Sequence, residues 1–433
     1  MQTAPAEGTV QAATLDAPEV GYLELLVTNP DYRRFWLSFL ISSSGSWFNT
    51  VAVFVLVIEL TGSELALGLI FALRMLAFSL PQPFTGMLAD RYDRKTLMVT
   101  ANVLSALVAV GLVFIDGRDQ LWLLYVLVGL LMALHALEVP ASQAALPNLV
   151  AENQLLTANA LDTATWSATL ALGCAAGGFV TAVHGVDAAF WIDAASFLVA
   201  AGLIATLRIP QSVSEDAGRP LLKSGLANIL QGWRFILSRP DVLRLIFAKS
   251  VWTIGGGGLV FLLVLVGDEL GFEDFAIGIG VMFLARGIGV GIGPLIAREV
   301  FKDREKWKYL IGLLITVSGV SYLIFGLVEW TLLSLGLVVF AHAASGSNWV
   351  LSNVMLQQRV PDEWRGRVFA TDLLLMAGFH SISALLASAA VDREYLSLRE
   401  ALLVFAGIQV VFGLLFALWM RNGFERSPTA HLS

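Results

Sequence analysis

Ten ionisable side chains sit inside long apolar runs, and they are where chemistry would be done: Arg74, Lys249, Arg286, Glu138, Asp162, Asp193, Asp372, His135, His342 and His380. A guanidinium there can hold an anionic group or tune a nearby acid, and it can equally do no more than hydrogen-bond main-chain carbonyls. A carboxylate or imidazole can take up a proton and return it, although a histidine in a helix bundle also serves as a hydrogen-bonded packing residue. Bond-making chemistry finds no support: HExxH, GxSxG and paired-histidine motifs are absent, and Cys174 is the single cysteine. Neither an enzyme nor a metal or cofactor site is expected.

The elements that position these groups must be membrane helices. Of the 433 residues, 57% are apolar and 14% charged, a balance that fits bilayer as solvent. A hydrocarbon core of about 30 Å needs roughly 20 uncharged residues per helix, and such runs recur along the chain. Twelve helices are predicted, near 35–58, 65–88, 96–115, 121–141, 159–183, 188–207, 244–267, 275–297, 308–328, 331–353, 367–391 and 400–420. Arg74 then lies about 13 Å deep by helical rise, where a charge costs at least ~2.5–3.5 kcal/mol. Arg286 lies at comparable depth in the eighth helix.

Alternate connections carry twenty-one Lys and Arg residues on one side, against Arg118, Arg393 and Arg399 on the other. The positive-inside rule then puts both termini in the cytoplasm. The first 28 residues hold no Lys or Arg and no apolar run of signal-peptide length, so residues 1–28 read as a cytoplasmic tail. An internal repeat at an offset of 210 aligns NPDYRR (29–34) with RPDVLR (239–244), VAENQ (150–154) with VPDEW (360–364), and Asp162 with Asp372. Two parallel six-helix bundles follow, 29–208 and 241–421. A polar linker with a possible surface helix joins them at 209–240, and a second tail closes the chain at 422–433.

The segment GMLADRYDRK (86–95) resembles the cytoplasmic loop signature of the major facilitator superfamily, carried here by Gly86, Asp90, Arg91, Arg94 and Lys95, with Asp93 in place of the usual second glycine. IELTGSELALG (58–68), LPNLVAENQLLTANAL (146–161), FWIDAASFLVAA (190–201) and LQQRVPDEWRGRV (356–368) are similar to the branch containing macrolide and siderophore exporters and lysophospholipid transporters. The resemblance implies an all-α fold of two pseudo-symmetric bundles in a bacterial inner membrane. It also implies secondary transport by alternating access, a small-molecule solute such as a drug, siderophore or lipid, and protons as the coupling ion. An importer or lysophospholipid flippase is the alternative within the fold; a sensor or a lipid enzyme lies outside it. A monomer in contact with membrane lipids, with no nucleic-acid partner, is expected.

In the superfamily the loop carboxylate, here Asp90, caps the start of the eleventh helix. Loop and cap then either gate the cytoplasmic side or only anchor topology. Glu138 reads as a neutraliser of Arg91 or Arg94, or as a proton site. Asp162 and Asp372 sit one turn into their helices, where either the helix dipole or coupling explains them. Asp193 falls in the IDAASF stretch. Many relatives carry an acid in the first helix where this chain has Ser46, so coupling through that helix is not expected. GCAAGG (Gly173, Cys174, Gly177, Gly178) resembles the antiporter signature, with Cys174 where proline is usual. With Gly287, Gly289, Gly291 and Gly293 it predicts a close seam between helices five and eight, either sliding or static. GGGG (255–258) predicts a bend. Trp47, Asn49, Phe71, Trp166 and Trp252 are candidate cavity-lining residues, with lipid-facing or packing roles as the alternative.

Overall fold

The computed structural model describes residues 20–210, 221–300 and 306–424, without the side chains of Asp90, Arg298 and some residues near the breaks. Residues 1–19, 425–433 and the linker segment 211–220 lie outside them, and the part of the expected N-terminal tail that is described forms a short helix with Leu25 buried. The first half comprises α1 (Tyr22–Thr28), α2 (Pro30–Thr61), α3 (Glu64–Ser79), α4 (Gln82–Arg91), α5 (Arg94–Leu112), α6 (Leu121–Leu149), α7 (Leu155–Ala168) and α8 (Cys174–Ala205). The linker helix α9 (Leu221–Ser238) leads to α10 (Pro240–Asp268), α11 (Phe275–Val300), α12 (Trp307–Leu327), α13 (Leu335–Arg359), α14 (Asp362–Asp392) and α15 (Leu398–Phe424). No strand occurs among the described residues.

Among the described residues, ten stretches are long and apolar enough to cross a membrane. One, Glu152–Ala205, is 54 residues long, about 81 Å by helical rise, and therefore crosses twice. It turns at Gly185, whose φ of 79° and ψ of 171° leave helical space, a conformation open to glycine alone at low cost. Leu335–Arg359 is long enough but carries His342, Asn348, Asn353 and two glutamines, which lower its apolarity. Counting it gives twelve passes.

Local chemistry sets the helix ends. Asn29 caps α2 by accepting from the Tyr32 N–H at 2.9 Å, and Pro30 occupies the first turn, where its missing N–H costs nothing. The repeat-related Pro240 opens α10 in the same way. Gly62 ends α2 in the left-handed region, and Ser63 at once caps α3 through the Ala66 N–H. The predicted second helix divides into α3 and α4 at Pro81, with Pro83 following. Several helices run past their predicted ends, α6 by eight residues to Leu149, because hydropathy marks only the lipid-buried part. The expected bend at Gly255–Gly258 does not break the helix. α10 runs through it unbroken, and the missing side chains let Phe405 of α15 and His380 of α14 approach its backbone.

Three buried apolar clusters describe how the halves meet. One joins Val51–Val57 of α2, Leu259–Val264 of α10, Ala384 of α14 and Phe405 of α15, uniting both halves at the end poor in Lys and Arg. At the Lys/Arg-rich end the clusters separate, one around Tyr32, Met98 and Ala145, the other around Leu245, Ile315 and Leu356. The molecule is therefore joined across its halves at one end and built of two independent cores at the other.

Candidate functional site

At the level where the halves join, α3 carries Arg74 and α8 carries Asp193. The guanidinium donates to Thr50 Oγ1 at 2.8 Å, and Thr50 in turn donates to the Ser46 carbonyl at 2.7 Å. Asp193 is 1% exposed, and neither of its oxygens has a hydrogen-bond partner. Arg74 acts on it electrostatically and the Asn49 amide lies beside it, without the alignment of a well-formed hydrogen bond. A carboxylate so placed costs free energy unless a proton or a charge partner reaches it.

Across the midline, α11 presents Arg286 over the ring of Phe283 at 5.4 Å, its Nε buried and unpaired. Tyr322, His342 and His380 surround it, and the Tyr322 hydroxyl bonds His342 Nε2 at 2.8 Å. Trp252 meets the His342 ring edge-on at 6.2 Å. Cys174 lies near both arginines. Phe71 stacks on Phe54 at 4.7 Å and meets Phe261 at 5.6 Å, while Phe54 meets Phe283 at 6.1 Å, an aromatic plug shared by both halves. Phe71 therefore packs in that plug and does not line an open cavity. Trp47 packs edge-on against Trp166 at 6.1 Å, with Trp166 exposed.

A second buried charge pair lies within the later half. Lys249 of α10 forms an ion pair with Asp372 of α14, at 6% and 2% exposure, and its ammonium also sits over the rings of Trp349 (4.8 Å) and Phe369 (5.6 Å). Asp372 is thus held by a lysine, and it lies about three turns into α14 and not the expected one, because the helix begins at Asp362, so the helix dipole does not explain it. Its repeat-related partner Asp162 instead accepts from the Tyr32 hydroxyl at 3.1 Å. His135 belongs to neither group. Its exposed ring stacks on Phe78 at 5.3 Å, away from Arg74 and Arg286.

The glycine seam divides in two. A Cβ on Gly287 would stand 2.6 Å from the Ala171 backbone and one on Gly291 3.2 Å from Ser167, while Gly178 abuts Ala276 and Gly280 of α11. These make the predicted contact between the fifth and eighth passes. Gly173 and Gly177 face Trp47 and Phe48 of α2 instead, because their four-residue spacing selects one face and Gly178 lies about 100° further round. A π-helical turn, Thr169–Gly173, marks the same level.

A family model described as Major Facilitator Superfamily matches residues 35–377. The chain belongs to the Major Facilitator Superfamily. It is 26% identical to the uncharacterized MFS-type transporter YfiS of Bacillus subtilis, over 87% of this chain and 89% of that one. It is 28% identical to the enterobactin exporter EntS of Shigella boydii, over 80% and 82%. The fold matches the POT family transporter PepTSo with a TM-score of 0.70 at 11% identity, covering 92% of this chain and 99% of that one. It matches a mutant of the nucleoside transporter NupG at 0.69 and 16%, covering 90% and 100%. This chain is accordingly a multi-pass membrane transporter, not an enzyme.

The superfamily loop signature spans α4 and the start of α5. Gly86 lies inside α4 with open space where a Cβ would be, and the Asp90 side chain is outside the described residues. Asp93, in place of the usual glycine, caps α5 by accepting from the Thr96 N–H at 2.7 Å, so no left-handed residue is needed there. Arg94 donates to the carbonyls of Ala89 and Ala144, and Lys95 to that of Leu207 at 3.0 Å. Glu138 accepts from Asn102 Nδ2 at 2.8 Å and lies 3.9 Å from His135, so its partners are these and not Arg91 or Arg94.

Proposed function

We propose that this transporter is a proton-coupled exporter of an amphipathic small molecule in a bacterial inner membrane, with its Lys/Arg-rich end in the cytoplasm. The observation that carries the reading is Asp193: a fully buried carboxylate with no ion-pair contact, beside the Asn49 amide and within electrostatic reach of Arg74, at the level where the halves join. Such a group takes a proton in one arrangement of the halves and releases it in another, when Arg74 leaves Thr50 and pairs with it. The difference in proton affinity between the two arrangements is what lets a gradient shift their populations. Arg286, with its unpaired Nε, His342, Tyr322 and Trp252 offers an anionic solute group a donor set beside aromatic surface.

Export is supported by the likeness to EntS over most of both chains. The test is flux from proteoliposomes under an imposed proton gradient, screening catecholate siderophores, macrolides, lysophospholipids and hydrophobic cations. Gradient-dependent movement of at least one class is expected; movement of none, with protein shown to be folded and inserted, overturns the reading.

A further inference from the structure

Between the halves, at the end poor in Lys and Arg, lies a cavity of about 740 Å³. Glu59, Glu64 and Asp187 of the first half line it, and Asp268, Glu269, Glu273 and Asp274 line it from the second. No Lys or Arg lines it, and among the described residues none of the seven carboxylates has an ion-pair partner. Asp274 caps α11 by accepting from the Ala276 N–H at 2.7 Å but has no cationic side chain as partner, and it lies close enough to Glu59 across the halves for the two to repel. Uncompensated charge of one sign in a walled cleft focuses field and concentrates counter-ions.

A second observation points to a ligand. Thr181 lines the same cavity, is 5% exposed, and its hydroxyl has no hydrogen-bond partner. Buried hydroxyls ordinarily have one. The chemistry also narrows the class of cation. Among the described residues no three acid, histidine or cysteine side chains cluster closely enough to hold a metal ion, and the carboxylates alternate with aliphatic wall from Val55, Leu265 and Val391. Several separated anionic points on an apolar surface fit several ammonium groups separated by methylenes.

We propose that this cavity is a binding site for linear aliphatic polyamines. The ammonium groups pair with carboxylates of both halves, the methylenes lie on the aliphatic wall, and Thr181 accepts from one ammonium. Because the acids come from both halves, an occupant removes the repulsion between them and favours the joined arrangement of this end. This site is independent of the solute exported and of the proton carrier.

The test is calorimetric titration of spermidine into the full-length protein in nanodiscs of uncharged lipid, at fixed ionic strength. Saturable one-to-one binding is expected, at least ten-fold weaker in Glu59→Gln/Asp274→Asn and weaker in Thr181→Val. It should be unchanged in Asp116→Asn/Asp119→Asn, which removes two acids of the same end outside the cavity. Absence of saturable binding to the unaltered protein overturns the proposal. So does equal weakening by the two double variants, or displacement of spermidine by magnesium at equal concentration of charge, since either outcome means diffuse counter-ion attraction.

Discussion

The buried ion pair of Lys249 and Asp372 is the residue-scale feature with the clearest energetic consequence. Removing one partner leaves an uncompensated buried charge, which costs about 3–5 kcal/mol, whereas replacing both by apolar groups of similar size is often nearly neutral. Lys249→Met or Asp372→Leu alone is therefore expected to lower the detergent-solubilised melting temperature markedly, and the double variant to recover most of the loss. Melting temperatures that fall additively in the double variant would mean that the two side chains do not act as a pair. Sequence reading found Lys249 as an intramembrane charge but not its partner, because α10 and α14 meet only in the folded bundle. The repeat gave no help: the position 210 residues before Lys249 is Phe39, and Asp162 is served by a tyrosine. Asp193 was visible only as part of a resembling stretch, since the Arg74 and Asn49 that make it unusual lie on other helices.

At the scale of elements, the seam between α8 and α11 and the interior of α4 use glycine for different reasons. Gly287 has no room for a side chain against Ala171, so Gly287→Val must push the two helices apart. Flux is expected to fall at least ten-fold with lowered thermal stability, and normal values of both would contradict close packing. Gly86 has open space and sits inside a helix, where alanine is favoured by about 1 kcal/mol. Gly86→Ala is accordingly expected to leave the melting temperature unchanged or raised; a fall would show a contact absent from this arrangement. The number and order of membrane passes were legible from the apolar runs, while helix starts such as Pro30, Pro240 and Asp362 fell four or five residues before the expected ones, because caps and prolines in the polar flanks set them. Which face each glycine presents was only partly legible, since spacing gives a face and the fold alone says what covers it. Gly173 and Gly177 went to α2 for that reason, and the tetraglycine serves close packing against α14 and α15 without breaking its helix.

The molecule as a whole is two helical bundles whose cores fuse at one end and separate at the other, and transport requires that fusion to be undone. Ser381 of α14 donates to the Ala72 carbonyl of α3 at 3.3 Å, across the fused end. Ala72→Cys/Ser381→Cys, in a Cys174→Ala background and bridged by a short bis-methanethiosulfonate reagent that forms two disulfides, is expected to stop turnover, with recovery when those disulfides are reduced. Full turnover by the cross-linked protein would show that this contact need not break. The proposed orientation of that end came from counting Lys and Arg, and the proposed export direction from the family resemblance; the solute was never legible, because pocket chemistry is assembled from five or more helices. The central claim, that Asp193 carries the coupling proton, is tested most directly by Asp193→Asn in proteoliposomes, comparing solute flux driven by a pH gradient with solute exchange at equal pH. The account predicts that gradient-driven flux is lost while exchange persists. Gradient-driven flux at the unaltered level in Asp193→Asn would contradict it.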